Sequence, residues 1–312
     1  MIKTIKVERD MSASSDNQAG EHEHYFVPAQ SRLPIYTAFA MFLTVFGAAN
    51  LFNAMSKGTD SNAEWILFLG FVFLAAVLYQ WFAAVIRENH AGLVGPQLNR
   101  SYVWGMGWFI FSEVMFFAAF FGALFYIRNF VGPWIGGEGD KGVTNYLWEG
   151  FQYNWPMLSN PDNEAFKPPH DVIHAWGLPA LNTALLVASS ITLTIAHHAL
   201  REKKRKQLNI WLGATIALGL IFLFFQAEEY AEAYGHLGLT LSSGIYGSTF
   251  FMLTGFHGAH VSIGTFMLIV QFVRSLKGHF EPDDHFGFEA TAWYWHFVDV
   301  VWVCLFLFVY IL

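Results

Sequence analysis

Five ionisable residues fall inside otherwise apolar stretches of this 312-residue chain: Glu113, His257, His260, His296 and Asp299. Glu113 is the most isolated, within Trp104-Gly-Met-Gly-Trp-Phe-Ile-Phe-Ser-Glu-Val-Met-Phe-Phe-Ala-Ala-Phe-Phe-Gly122. At about 1.5 Å per residue, the run from Ser101 to Tyr126 is long enough to cross a bilayer, with Glu113 roughly midway. A carboxyl group at that depth costs from a few kcal/mol to more than ~10. It must therefore be neutral, partnered or open to a water-filled cavity. On its own helix face lie Phe109, Ile110, Phe116, Phe117 and Phe120, so its helix supplies no partner. Such surroundings disfavour the charged form unless His257 or His260 approaches from another helix.

The other four residues come as two pairs spaced i,i+3, His257 with His260 and His296 with Asp299, and such pairs share a helix face. All five lie at similar depth and could form one buried polar layer. The chemistry open to them is the holding or passing of a proton. Haem or metal ligation is the competing use of two imidazoles, but only His257, His260 and His296 lie deep enough, and membrane haem sites draw axial ligands from different helices. His197 and His198 are adjacent at the end of a span and point in different directions. Cys304 is the single cysteine, so no intrachain disulfide or thiolate cluster can form. No metal site and no catalytic residue are expected in this chain.

The elements that must position these groups are long and apolar. The chain is 54% hydrophobic, 18% aromatic and 13% charged, outside the usual range of soluble domains. Seven stretches are long enough to span as helices: Leu33–Ala54, Ala63–Ile86, Ser101–Tyr126, Leu178–Leu200, Leu208–Tyr230, Ile245–Arg274 and Glu289–Leu312. They neither alternate like barrel strands nor match their length. An all-α polytopic membrane protein follows. Residues 1–32 form a polar N-terminal tail without the pattern of a cleaved signal peptide. The tail and even-numbered connections hold 13 of the 17 Lys and Arg residues, which places the N-terminus inside and the C-terminus outside. The net charge of −7 is spread over tails and loops, and no basic field points to nucleic acid.

At the predicted inner helix ends, Arg87, Glu88 and Arg274 are placed to meet lipid phosphate by snorkelling, and Trp81, one and a half turns before Arg87, to lie along an acyl chain. The run Arg201-Glu-Lys-Lys-Arg-Lys206 reads as the topology signal. Glu228, Glu229 and Glu232 read as a solvated outer helix end. The connection 128–177 is too long for a simple turn and is expected to pack over the outer surface; Trp134, Trp148, Trp155 and Trp176 fit interfacial anchoring.

Several segments together resemble subunit III of the haem–copper cytochrome c oxidases: Tyr79-Gln-Trp-Phe-Ala-Ala-Val-Ile-Arg-Glu88, Phe111-Ser-Glu-Val-Met-Phe-Phe117, Leu181-Asn-Thr183, Ala196-His-His198, Ile245-Tyr-Gly-Ser-Thr-Phe-Phe251, Gly255-Phe-His-Gly-Ala-His260, His285-Phe-Gly-Phe-Glu-Ala290 and Trp293-Tyr-Trp-His-Phe-Val-Asp-Val-Val-Trp302. The matches run in order on successive spans from Arg32 to Leu312.

The resemblance implies a two-helix bundle (33–86), an inner loop (87–100) and a five-helix bundle (101–312) around a V-shaped cleft that holds phospholipids. It implies no redox centre in this chain, with haems and copper in partner subunits I and II. The complex would oxidise cytochrome c, reduce oxygen and pump protons, and this subunit would support proton uptake and the stability of subunit I. Glu113 matches the family's carbodiimide-reactive glutamate, and Trp81, Arg87, Glu88 and Arg274 match lipid-contacting positions. The loop 128–177 is longer than the family's, and Leu33-Pro34 stands where the family has Trp-Pro. The tail and the loop suggest a bacterial inner membrane over a mitochondrial one. The alternatives are the third subunit of a quinol oxidase, which usually lacks the first two helices, and an independent proton-coupled transporter.

Overall fold

The computed structural model describes residues 30–312; the polar tail expected over 1–32 falls almost wholly outside them. Among the described residues seven helices are long and apolar enough to cross a membrane. They are α1 (Leu33–Lys57), α2 (Ala63–His90), α3 (Pro96–Tyr126), α4 (Leu178–Arg201), α5 (Arg205–Glu232), α6 (Ile245–Leu276) and α7 (Phe286–Leu305). Three continue past their α-helical part. A π-helical turn (Ile127–Val131) and one α-turn (Gly132–Ile135) extend α3, and π-helical turns follow α5 (Ala233–Leu237) and α7 (Phe306–Ile311). Extended pairing among the described residues amounts to an isolated bridge between Glu281 and Asp284. Most helices overrun the apolar stretches in the sequence because the backbone ladder continues into polar flanks.

The contacts divide the described residues into two compact units, the first ending at Tyr102 and the second running from Val103 to Leu312. In the first, α1 packs on α2 through small residues at seven-residue spacing: Ala40, Gly47 and Ala54 against Ala63, Gly70 and Val77. The approach is close, since a Cβ at Gly47 would lie 2.5 Å from the Leu67 backbone nitrogen and one at Gly70 2.7 Å from that of Thr44. Small faces of this kind let helices associate where lipid removes the hydrophobic drive between them. Thr37, Thr44 and Asn50 bond to carbonyls of their own helix. Gly58 ends α1 at φ 62°, a left-handed cap that costs glycine no Cβ clash.

The second unit is built around α7. Trp295 and Trp302 are fully buried, and their indole N–H groups donate to Ser189 and Thr183 of α4, each at 2.9 Å. The Trp295 ring rests on two glycines: a Cβ at Gly219 of α5 or Gly264 of α6 would come within 2.8 and 2.9 Å of it. Buried residues of α5 follow alternating steps of four and three, Leu208, Leu212, Thr215, Gly219, Phe222, Gln226 and Glu229, the stripe of a helix with one face in a core. Side chains of α3 meet α6 and α7 through aromatic pairs, Phe116 with Phe256, Phe109 with Tyr294 and Phe117 with Phe297.

The long connection is ordered over the ends of α5 and α6. Met157 packs into a cluster with Ala233, Leu239, Tyr246 and Phe250, Trp155 meets Tyr246 edge-on, and Asn160 donates to the carbonyls of Phe166 and Ser243. Tyr153 donates to the Arg128 carbonyl at 2.6 Å, and burial raises the pKa of its phenol. Trp155 therefore serves the loop's own packing, while Trp176 is exposed.

Candidate functional site

Glu113 faces inward from the middle of α3, and its partner is His260 of α6. Nε2 of His260 lies 3.0 Å from Oε2 of Glu113, with the side chains 13% and 22% exposed. The other ring nitrogen, Nδ1, donates to the Phe256 carbonyl at 2.6 Å. That bond places one proton on Nδ1 and leaves the Nε2···Oε2 contact to be made by a single further proton. The pair is then either a neutral acid donating to imidazole or a carboxylate accepting from imidazolium. Phe116, Phe117 and Tyr294 surround the imidazole, so this proton is held among aromatic rings, where a hydrogen bond to a charged group is strong.

The remaining polar residues form separate contacts. His257, on the inner side of α6, is buried and donates from Nε2 to the Val298 carbonyl at 3.1 Å. Its Nδ1 has no partner among the described residues. Phe222 and Trp302 flank its ring. His296 reaches α4, where the Ser190 hydroxyl stands 3.2 Å from its Nδ1, and Asp299 lies near the same hydroxyl. The structure thus pairs Glu113 with His260 and leaves His257 and the His296–Ser190–Asp299 group in contacts of their own.

Of the predicted lipid-contacting residues, Trp81 and Arg87 lie exposed on α2 with Glu88 partly buried beside them. Arg274 is instead engaged within its own unit. Its guanidinium donates to Gln271 at 3.2 Å and lies over the Phe280 ring, 4.7 Å from the centroid.

Two groupings escaped the sequence reading. Glu229 is not part of a solvated helix end but is fully buried. It accepts from Tyr310 at 2.5 Å and from Gln226 at 3.4 Å. The stripe Leu208 to Gln226 on α5 was the available signal, because its next step lands on Glu229. The second grouping joins His197 near the end of α4 to His285 and Glu289 at the start of α7. The i,i+4 spacing of His285 and Glu289 is visible in sequence; the approach of α4 is not.

Comparison with known proteins gives this architecture its family. The family model described as cytochrome c oxidase subunit III matches residues 22–133 and 163–312. The chain belongs to the cytochrome c oxidase subunit III family. A cytochrome c oxidase subunit 3 from Hippopotamus amphibius is 44% identical over 251 residues, covering 80% of this chain and 84% of its own. The subunits from Felis catus and Mus musculus are 39% and 40% identical over 289 residues, covering 92% of this chain and 96% of theirs. The unmatched segment 134–162 lies inside the loop that the sequence marks as enlarged. These relatives support the role of a subunit of the oxidoreductase complex and do not favour a quinol oxidase subunit or an independent transporter.

Proposed function

We propose that this chain is the non-catalytic, lipid-holding subunit of a proton-pumping cytochrome c oxidase, seated against subunits I and II, with Glu113 and His260 as a one-proton store that supports proton uptake. The single observation that carries the proton role is the 3.0 Å contact between the two side chains. It joins two membrane helices through one shared proton, in a family whose catalytic centres lie in other subunits by the resemblance set out above. Exposed Trp81 and Arg87 on α2 support phospholipid contact at that helix end. The engagement of Arg274 with Gln271 limits its lipid role to whatever guanidinium face remains open.

The mammalian source of the relatives points to a mitochondrial inner membrane rather than the bacterial one suggested by the tail and loop. Membrane fractionation decides between them. The reading as a whole is tested by affinity purification through a tag on this chain. Recovery of a haem- and copper-containing assembly with ordered phospholipid is expected; a chain isolated alone with stoichiometric haem, or moving protons by itself in liposomes, would refute it.

A further inference from the structure

Three potential ligand atoms converge where the end of α4 meets the first turn of α7. Nε2 of His197 lies 3.3 Å from Nε2 of His285 and 3.6 Å from Oε1 of Glu289, and Nε2 of His285 lies 3.4 Å from the same carboxylate oxygen. Metal–nitrogen and metal–oxygen bonds of about 2.0–2.1 Å around tetrahedral zinc put neighbouring ligand atoms about 3.3–3.4 Å apart. The three atoms therefore already stand near three corners of such a site. The two imidazole planes cross at 70°, so the rings meet nitrogen to nitrogen rather than stacked.

Protons alone serve this arrangement poorly. His285 donates from Nδ1 to the Glu281 carbonyl at 3.0 Å, which fixes its neutral tautomer and turns the Nε2 lone pair into the cluster. A backbone carbonyl on the far ring nitrogen is the usual support of a metal-binding histidine. In the neutral state a single proton, on Nε2 of His197, would then face two acceptors, His285 Nε2 and Glu289 Oε1. A cation at the centre satisfies all three at once. Arg201, one turn after His197, adds positive charge nearby, against which the Glu289 carboxylate supplies the one negative ligand.

We infer that His197, His285 and Glu289 form a binding site for a divalent cation of the zinc class, clipping the end of α4 to the start of α7. Two imidazoles and one carboxylate suit zinc or copper(II) and do not suit magnesium or calcium, which take oxygen cages. Side-chain exposures of 27% for His197 and 35% for Glu289, against 8% for His285, leave one direction open for a water molecule as fourth ligand. The site is remote in sequence from Glu113 and independent of the proton role proposed above.

The test uses the assembled oxidase, with zinc as the probe. Crystals equilibrated in micromolar zinc should show an anomalous peak at the zinc edge about 2 Å from all three ligand atoms. Zinc should also raise the thermal stability of this subunit within the complex. Since outer-shell changes alone weaken metal sites by about 10–100-fold, Glu289→Gln should weaken zinc binding here by about 100-fold or more and abolish the stabilisation. His197→Asn should do the same. A map with no peak at this position, binding that appears only at millimolar zinc, or equal occupancy in wild type and Glu289→Gln would overturn the inference. Should a variant fail to assemble, the wild-type map decides the matter.

Discussion

Nδ1 of His260 donates to its own helix at Phe256 while Nε2 faces Glu113 across to α3. The ring is thereby committed on one side and available on the other. One proton more or less on this pair changes its net charge by one, at a depth where an unpaired charge is costly.

Glu113→Gln should therefore assemble with unchanged haem content and lose carbodiimide labelling, with oxygen consumption falling by less than about tenfold, or about 1.4 kcal/mol on the barrier. Haem spectra, labelling and oxygen uptake on the purified complex check this. Abolished turnover in a fully assembled complex would instead make Glu113 an essential proton carrier.

Gly264→Ala places a methyl group 2.9 Å from the Trp295 ring, in a core where α7 has no slack. Overpacking of this kind costs about 1–3 kcal/mol. Lower thermal stability and easier loss of this subunit from the complex are expected. Gly258→Ala, whose added methyl meets no atom within 4 Å, is the control and should behave as wild type.

Tyr310→Phe removes the hydroxyl that donates to Glu229 and leaves this buried carboxyl group with the long 3.4 Å bond from Gln226 as its remaining side-chain partner among the described residues. Leaving such a group unsatisfied costs about 1–3 kcal/mol, more if charged. The double change with Glu229→Leu should recover much of that loss, because it removes the carboxyl group as well. Thermal denaturation of the two variants separates the possibilities.

Tyr153→Phe tests the long connection. Loss of the bond to the Arg128 carbonyl should cost about 1 kcal/mol and speed hydrogen exchange over residues 136–177. Burial raises the pKa of this phenol above its ordinary value of 10.0, so folding favours the protonated form. That contribution is complete below the unfolded-state pKa and is lost as pH rises through the folded-state one. Wild-type loop docking should weaken above about pH 10, and the variant should lack this component.

The seven spans were legible because length and apolar composition report directly on the bilayer. Their exact ends were not, since helix continues wherever the backbone can bond to itself. Glu113 was legible as an anomaly, but not its choice of partner. His257 and His260 sit on neighbouring faces of α6, and only the packed structure separates the one aimed at Val298 from the one aimed at α3. Glu229 was misread from its charged neighbours, although the stripe it continues was present in the sequence. Of the His197–His285–Glu289 cluster only the i,i+4 pair was legible, because the approach of His197 depends on two helix ends meeting across 88 residues of chain.

The two units also differ in what keeps their helices together. Drawing α7 away from α4 would strand the indole N–H groups of Trp295 and Trp302, a cost that surrounding solvent or detergent cannot quickly repair. Between α1 and α2 the described contact is a fit of small residues, and Thr37, Thr44 and Asn50 of α1 bond to carbonyls of their own helix. Parting that hairpin breaks none of these three bonds. Delipidation during purification should therefore loosen these first two helices before it disturbs the other five.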